Sequence, residues 1–137
     1  MKKNTKGFTL IELLAVIVIL AIIALIAVPV ILNILTKSRQ SAAEDTAYSV
    51  LNAAELYYAE ALLDNPTEAF VAVDFEFDGT VPEGLELKGT VPTAGIVTIN
   101  ANGTASIKSA LTINSLSCDY KKDAEGNYIS TTEVDCK

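Results

Sequence analysis

One glutamate in this chain lies where a charged side chain is costly. Glu12 directly precedes a stretch from Leu13 to Thr36 that contains no charged residue and is rich in Ile, Leu, Val and Ala. An ionised carboxylate within the hydrocarbon of a bilayer costs about 2.5 kcal/mol or more. The carboxylate of Glu12 therefore needs a cationic partner, and its position suggests charge neutralisation.

The other residue types give little support for catalysis. The chain has no histidine, which removes the usual general base and the commonest metal ligand. Asp74, Glu76 and Asp78 alternate along a predicted strand and offer the oxygen ligands that calcium prefers, but the glycine-centred loop of an EF-hand is missing. We favour a solvated strand face, and the sequence predicts no catalytic residue, no metal site, no cofactor and no enzyme activity.

The element that positions Glu12 is a predicted membrane-spanning helix. About 20 apolar residues at roughly 1.5 Å each cover the hydrocarbon core of a bilayer. The three lysines among the first six residues hold the N-terminus in the cytoplasm, so the rest of the chain emerges on the outer side. An uncleaved signal anchor is the alternative, but it assigns no role to Gly7, Phe8 or Glu12.

The N-terminal segment, residues 1 to about 35, resembles the class III signal of type IV prepilins and pseudopilins. A short basic leader ends at Gly7, Phe8 follows, and Glu12 is the fifth residue after the glycine. The resemblance implies cleavage between Gly7 and Phe8 by a prepilin peptidase, and then N-methylation of Phe8. It also implies that Glu12 neutralises the new amine, most simply that of a neighbouring subunit. Pro29 falls where many pilins carry a helix-bending proline.

The helical pattern continues beyond the apolar stretch. A single helix from about Phe8 to Asn65 would be roughly 87 Å long, and Asp64-Asn65-Pro66 supplies its end. Pro29 should bend or loosen it, because proline lacks an N–H and crowds the carbonyl of Leu25. An incidental kink near the outer interface is the alternative. The outer half has an apolar stripe at three- and four-residue spacing: Ala47, Val50, Leu51, Ala54, Tyr58, Ala61 and Leu62.

Short strands are predicted after the helix. Alternating polarity indicates strands within residues 70–77, 85–88 and 96–100, and Asn102-Gly103 signals a hairpin into residues 104–108. Residues 111–113 either extend that last strand or begin another. The short connections predict an antiparallel meander on the outer half of the helix. The fold class is therefore α+β, a long N-terminal helix against a small antiparallel sheet, and the resemblance implies the pilin fold.

The two cysteines, Cys118 and Cys136, lie in the part of the chain predicted to be outside the cell. A disulfide closing roughly 18 residues would contribute about 3 kcal/mol. Two thiols without histidine are too few for a zinc site, whereas a reduced pair stays open if the cells lack an oxidation pathway. The resemblance adds that many pilins have a disulfide-bounded C-terminal loop, and we expect residues 119–135 to form its exposed, variable surface.

Three parts follow along the chain. Residues 1–7 are a predicted leader peptide, residues 8–35 a transmembrane or filament-core helix, and residues 36–137 an extracytoplasmic globular domain that includes the outer half of the helix. Removal of the leader with its three lysines would change the formal net charge from −7 to −10. Such an acidic chain is not expected to bind nucleic acid directly.

The resemblance implies a structural subunit of a type IV pilus, held first in the cytoplasmic membrane and then polymerised through its N-terminal helix into an extracellular filament. The expected partners are prepilin peptidase, further copies of the chain, minor pilins, and the pilus assembly platform with its ATPase. The alternatives are a pseudopilin of a competence or type II secretion system and a monomeric membrane-anchored adhesin. The signal is common to these classes, so motility, adhesion, DNA uptake and secretion stay open.

Overall fold

The computed structural model of the chain describes residues 7–137, so the predicted leader, except for Gly7, lies outside the described residues. Within them one helix precedes five strands: α1 (Leu10–Asp64), β1 (Val73–Phe77), β2 (Ala94–Ile99), β3 (Ala105–Ile113), β4 (Leu116–Tyr120) and β5 (Val134–Cys136). The chain divides into two units, Met1–Ser38 and Arg39–Lys137. The predicted α+β class, a long N-terminal helix packed against a small antiparallel sheet, is confirmed.

α1 begins and ends within two residues of its predicted limits. It runs without interruption through Pro29. Near its N-terminus it contains a window that is long and apolar enough to cross a membrane, and none of that window is buried. Exposed apolar side chains along this window are expected for a segment whose surroundings are lipid or other subunits.

In the second unit, α1 packs on the sheet through small side chains. The buried residues of this helix face are Ala43, Ala47, Val50, Ala53 and Ala54. The predicted stripe correctly included Ala47, Val50 and Ala54, but Leu62 is exposed. We call the five buried residues of this helix face the alanine seam. Because its side chains are short, the helix and the sheet can approach closely without leaving voids.

Two tyrosines follow the alanine seam and pack against aromatic residues that begin the strand region. Tyr57 meets Phe75 edge to face with the ring centroids 5.1 Å apart, and Tyr58 meets Phe70 in the same way at 4.8 Å. Both tyrosines are half-buried. The predicted apolar stripe included Tyr58, and the structure places the rings of both tyrosines against the core.

The sheet is an antiparallel meander in the order β1-β2-β3-β4-β5, as predicted. The predicted hairpin joins β2 to β3: the amide of Gly103 donates to the carbonyl of Asn100 at 2.9 Å, and the amide of Asn100 donates to the carbonyl of Thr104 at 3.0 Å. Gly103 has φ +83, so a type I turn is followed by a left-handed glycine, a common three-residue hairpin. Residues 111–113 continue β3.

Two strand predictions need correction. Residues 85–88 form no strand. Leu85 is buried and Leu87 packs on the core, so the alternation of apolar and polar residues reflects burial of the two leucines, although no strand in the described part of the chain pairs with this segment. Conversely, β4 and β5 were not predicted. The turn into β4 has Asn114 and Ser115 at φ 51 and 68, and this left-handed pair lacks the glycine that usually signals such a turn.

The contact between Gly103 and the helix gives a testable result. We expect Gly103→Ala to lower the free energy of unfolding by about 1–2 kcal/mol, because alanine is strained at positive φ and its Cβ would lie 2.5 Å from a ring carbon of Tyr58. Gly126→Ala is the matched control, since Gly126 has φ +88 but open space around a Cβ. Denaturant unfolding of both variants measures the difference, and equal losses would show that the contact with Tyr58 is unimportant.

Candidate functional site

The N-terminal turn of α1 brings Glu12 and Thr9 together. The amide and the hydroxyl of Thr9 both donate to Oε2 of Glu12, at 2.8 and 2.9 Å. The amide of Glu12 in turn donates to the hydroxyl of Thr9 at 3.3 Å. This reciprocal arrangement is a capping box, in which a threonine before the helix and a glutamate three residues later satisfy each other's backbone amides. The helix therefore starts at Leu10 with the carboxylate of Glu12 turned back towards the N-terminus.

The role of Thr9 was missed in the sequence. The signal was present as Thr9-Leu10-Ile11-Glu12, which has the spacing of a capping box directly before an apolar run. Its consequence is chemical, because the hydrogen bonds from Thr9 give the Glu12 carboxylate two donors before any other molecule binds. Those donors are neutral, so they reduce the cost of placing the carboxylate in an apolar environment without cancelling its charge.

The predicted cleavage site lies just outside this turn. Gly7, Phe8 and Thr9 precede the helix and have no regular secondary structure. Phe8 is 90% exposed, and a Cβ placed on Gly7 would have no neighbour within 4 Å. The Gly7–Phe8 peptide bond is thus in an open, non-helical segment, which is the backbone geometry that a peptidase needs to reach a peptide bond.

Pro29 lies about five helical turns from this end, so the structure does not bring it together with Glu12. Pro29 cannot donate to the carbonyl of Leu25, which leaves that carbonyl without the usual helical partner. Its predicted part in assembly remains a prediction.

The two predicted cysteines meet at the opposite end of the chain. Cys118 in β4 and Cys136 in β5 are directly paired across the ladder and joined by a disulfide, with their Cα atoms 4.1 Å apart. Both residues are fully buried. The bond thus crosslinks the last two strands inside the core. The loop between the cysteines is shorter than the predicted residues 119–135, because the first and last residues of that range belong to β4 and β5.

Residues 121–133 form that loop, which we call the C-terminal loop. Its tip is a turn held by Asp123, whose carboxylate accepts the amides of Asn127 at 2.8 Å and Glu125 at 3.1 Å. The hydrogen bonds from the Asn127 amide and its neighbours lower the pKa of Asp123. Tyr128 and Ile129 are more than half exposed. The loop therefore presents an ordered surface that also carries apolar groups.

The lysine pair of this loop is engaged within the chain. Lys121 binds Glu133 at 3.1 Å and Lys122 binds Asp119 at 2.5 Å. These carboxylate partners raise the pKa of both lysines, and for Lys122 the Tyr128 hydroxyl adds to the effect. Each positive charge is paired with a carboxylate, so this pair does not form the basic patch that nucleic-acid binding requires.

The acidic residues of β1 and its end are also used by their neighbours. Asp74 forms an ion pair with Lys108 and accepts the Thr98 hydroxyl at 2.5 Å. The Lys108 hydrogen bond, followed by that of Thr98, lowers the pKa of Asp74. Asp78 accepts the hydroxyl and the amide of Thr80, which lower its pKa. No group of potential metal ligands occurs among residues 7–137. Asp74, Glu76 and Asp78 are exposed on β1 and in the turn that follows it.

Comparison with known proteins identifies the N-terminal segment. Residues 2–28 match a protein-family model described as the prokaryotic N-terminal methylation motif. The match contains Gly7, Phe8, Thr9 and Glu12 and stops one residue before Pro29. No curated protein and no solved structure matched the chain.

Proposed function

We propose that this chain, which carries the N-terminal signal of type IV pilin-like prepilins, is a structural subunit of a type IV pilus. In this proposal the prepilin is anchored in the cytoplasmic membrane by α1, cleaved after Gly7 by prepilin peptidase and N-methylated at Phe8. It is then polymerised through α1 into a filament on the cell surface. The role is structural, and no step of it requires catalysis by the chain itself.

The observation that carries the proposal is the single carboxylate at the start of an exposed apolar helix. Between Phe8 and Thr36 only Glu12 is charged, and the large side chains around it are more than half exposed. Cleavage after Gly7 creates an amine on Phe8, which is the cation that this carboxylate lacks. Because a buried unpaired charge is strongly unfavourable, a subunit is stabilised where its Glu12 meets the amine of a neighbour.

Packing between the apolar helices of neighbouring subunits must supply the rest of the free energy of association. An apolar helix that leaves lipid for equally apolar neighbours gains little from the hydrophobic effect, so van der Waals contact between helices matters more. Charge pairing then contributes direction, because only one axial position of an incoming subunit brings the Glu12 carboxylate to an amine. The two terms together favour ordered growth over nonspecific clustering.

Intact mass and N-terminal sequencing of sheared surface filaments from the native cells test the proposal. We expect a chain that begins at Phe8, carries about 14 Da for one methyl group and is about 2 Da lighter for one disulfide. A chain that begins at Met1 and occurs only in the membrane fraction would refute the filament role and support a membrane-anchored adhesin. A processed chain found in secretion or competence complexes without long filaments would instead identify a pseudopilin.

A further inference from the structure

β5 is an edge strand of the sheet: it pairs with β4 on one side, and no strand within residues 7–137 pairs with its other side, the outer edge. Lys137 and Ser117 exchange two backbone hydrogen bonds of 3.0 and 2.9 Å, and the amide of Lys121 donates to the carbonyl of Glu133 at 2.9 Å. Backbone groups of successive residues in an antiparallel strand point to opposite sides. The alternate residues, whose backbone groups face away from β4, are Thr132, Val134 and Cys136.

A tyrosine from α1 reaches this outer edge. The hydroxyl of Tyr48 donates to the carbonyl of Thr132 at 3.2 Å and accepts the amide of Val134 at 2.9 Å. A carbonyl and an amide two residues apart are the pair that one residue of an added parallel strand would bond. Cys136, the next outward residue, is fully buried. The Tyr48 hydroxyl thus occupies the accessible part of the edge.

We propose that Tyr48 seals the β5 edge of the sheet against strand pairing between copies of this chain. An unpaired edge is a template for another strand, and proteins commonly block it with charges, bulges or a covering element. Here a side-chain hydroxyl that both donates and accepts takes the place of the missing strand at Thr132 and Val134. The Tyr48 hydroxyl would prevent this strand pairing wherever copies of the chain are concentrated, whether in the membrane or in a polymer.

The other edge of the sheet is protected by different means. β1 carries Asp74 and Glu76, both exposed, and charged side chains discourage edge-to-edge pairing. β5 has only three residues, of which Val134 and Cys136 are buried apolar side chains. Such a short strand has few positions for charged side chains, and the hydroxyl of Tyr48 on α1 protects its edge instead.

Tyr48→Phe in the purified full-length chain, held in nonionic detergent micelles, tests the seal. At a chain concentration low enough to keep one chain per micelle, we expect hydrogen exchange of the Val134 amide to become roughly three- to tenfold faster, the effect of losing one net hydrogen bond. At a higher chain concentration we expect a larger sedimenting species together with the infrared amide band of intermolecular β-sheet. Tyr57→Phe is the matched control, since the Tyr57 hydroxyl makes no hydrogen bond within residues 7–137 while its ring packs in the core.

Two results would overturn the proposal. The first is a Tyr48→Phe chain whose Val134 exchange or whose association equals that of the Tyr57→Phe control. The second comes from the unmodified chain and does not depend on how the variant folds: a Val134 amide that exchanges as fast as the amide of Ala124 in the exposed C-terminal loop. Either result would mean that the Tyr48 hydroxyl does not hold the edge closed.

Discussion

Glu12→Gln should abolish filament assembly while leaving membrane insertion and cleavage after Gly7 intact. Glutamine keeps the shape of the side chain and an oxygen that accepts the hydrogen bonds of Thr9, so the capping box and the start of α1 should survive. What is lost is the negative charge that would attract the amine of a neighbouring Phe8. We expect the yield of sheared filaments to fall by roughly a hundredfold or more, in line with losing a desolvated charge pair of about 3 kcal/mol.

The controls for Glu12→Gln separate charge from helix capping. Glu60→Gln removes the same charge from an exposed position of α1 outside the apolar segment and should leave the filament yield unchanged. Thr9→Val removes the hydroxyl of the capping box but keeps the charge of Glu12, so assembly should be impaired less than by Glu12→Gln. Filaments of normal yield from Glu12→Gln cells would contradict the charge-pairing mechanism, even if the protein is a pilin.

Removal of the disulfide should have the largest effect on stability. We expect the double substitution Cys118→Ala and Cys136→Ala to lower the free energy of unfolding by about 3 kcal/mol, the value for a loop of this length. In a domain of this size that loss corresponds to a decrease of roughly 10–20 °C in Tm. Both cysteines are fully buried in the core, so lost packing adds to the lost crosslink.

Thermal unfolding of the full-length chain in detergent, followed by near-UV circular dichroism, measures this loss. Ser117→Ala is a suitable control, because Ser117 neighbours Cys118 in β4 and its side chain is exposed. A smaller decrease in Tm should follow reduction of the unmodified chain by a strong thiol reductant, because the two thiols keep their packing and only the crosslink is lost. A double variant as stable as the unmodified chain would show that the β4–β5 ladder and the Tyr48 contacts suffice to hold the C-terminal strand.

The sequence was most informative where a local pattern had one physical cause. The extent of α1 followed from an unbroken helical spacing ended by Asp64-Asn65-Pro66, and the β2–β3 hairpin from the need for a left-handed residue at Gly103. Glu12 could be singled out because a lone charge in an apolar run has few explanations. Its expected partner, the amine of Phe8 on another copy, and the role of Pro29 remain predictions.

The failures arose where tertiary contacts decide the local structure. Residues 85–88 alternate like a strand, yet their leucines are buried with no neighbouring strand to pair with. β5 is too short to predict from its own three residues and exists because Cys136 is bonded to Cys118 and Val134 is held by Tyr48. The latter contact joins residues 86 positions apart, which no local pattern could reveal.

The alanine seam has a consequence for the evolution of this chain. Alanine loses no side-chain rotamer entropy on burial, so the helix docks on the sheet at a low entropic cost. The same positions leave no space for growth: a larger residue at Ala43, Ala47 or Ala54 would push the helix from the sheet. Sequence divergence should therefore be slow along this face of the helix, and change should accumulate on the outer face of the sheet and in the C-terminal loop.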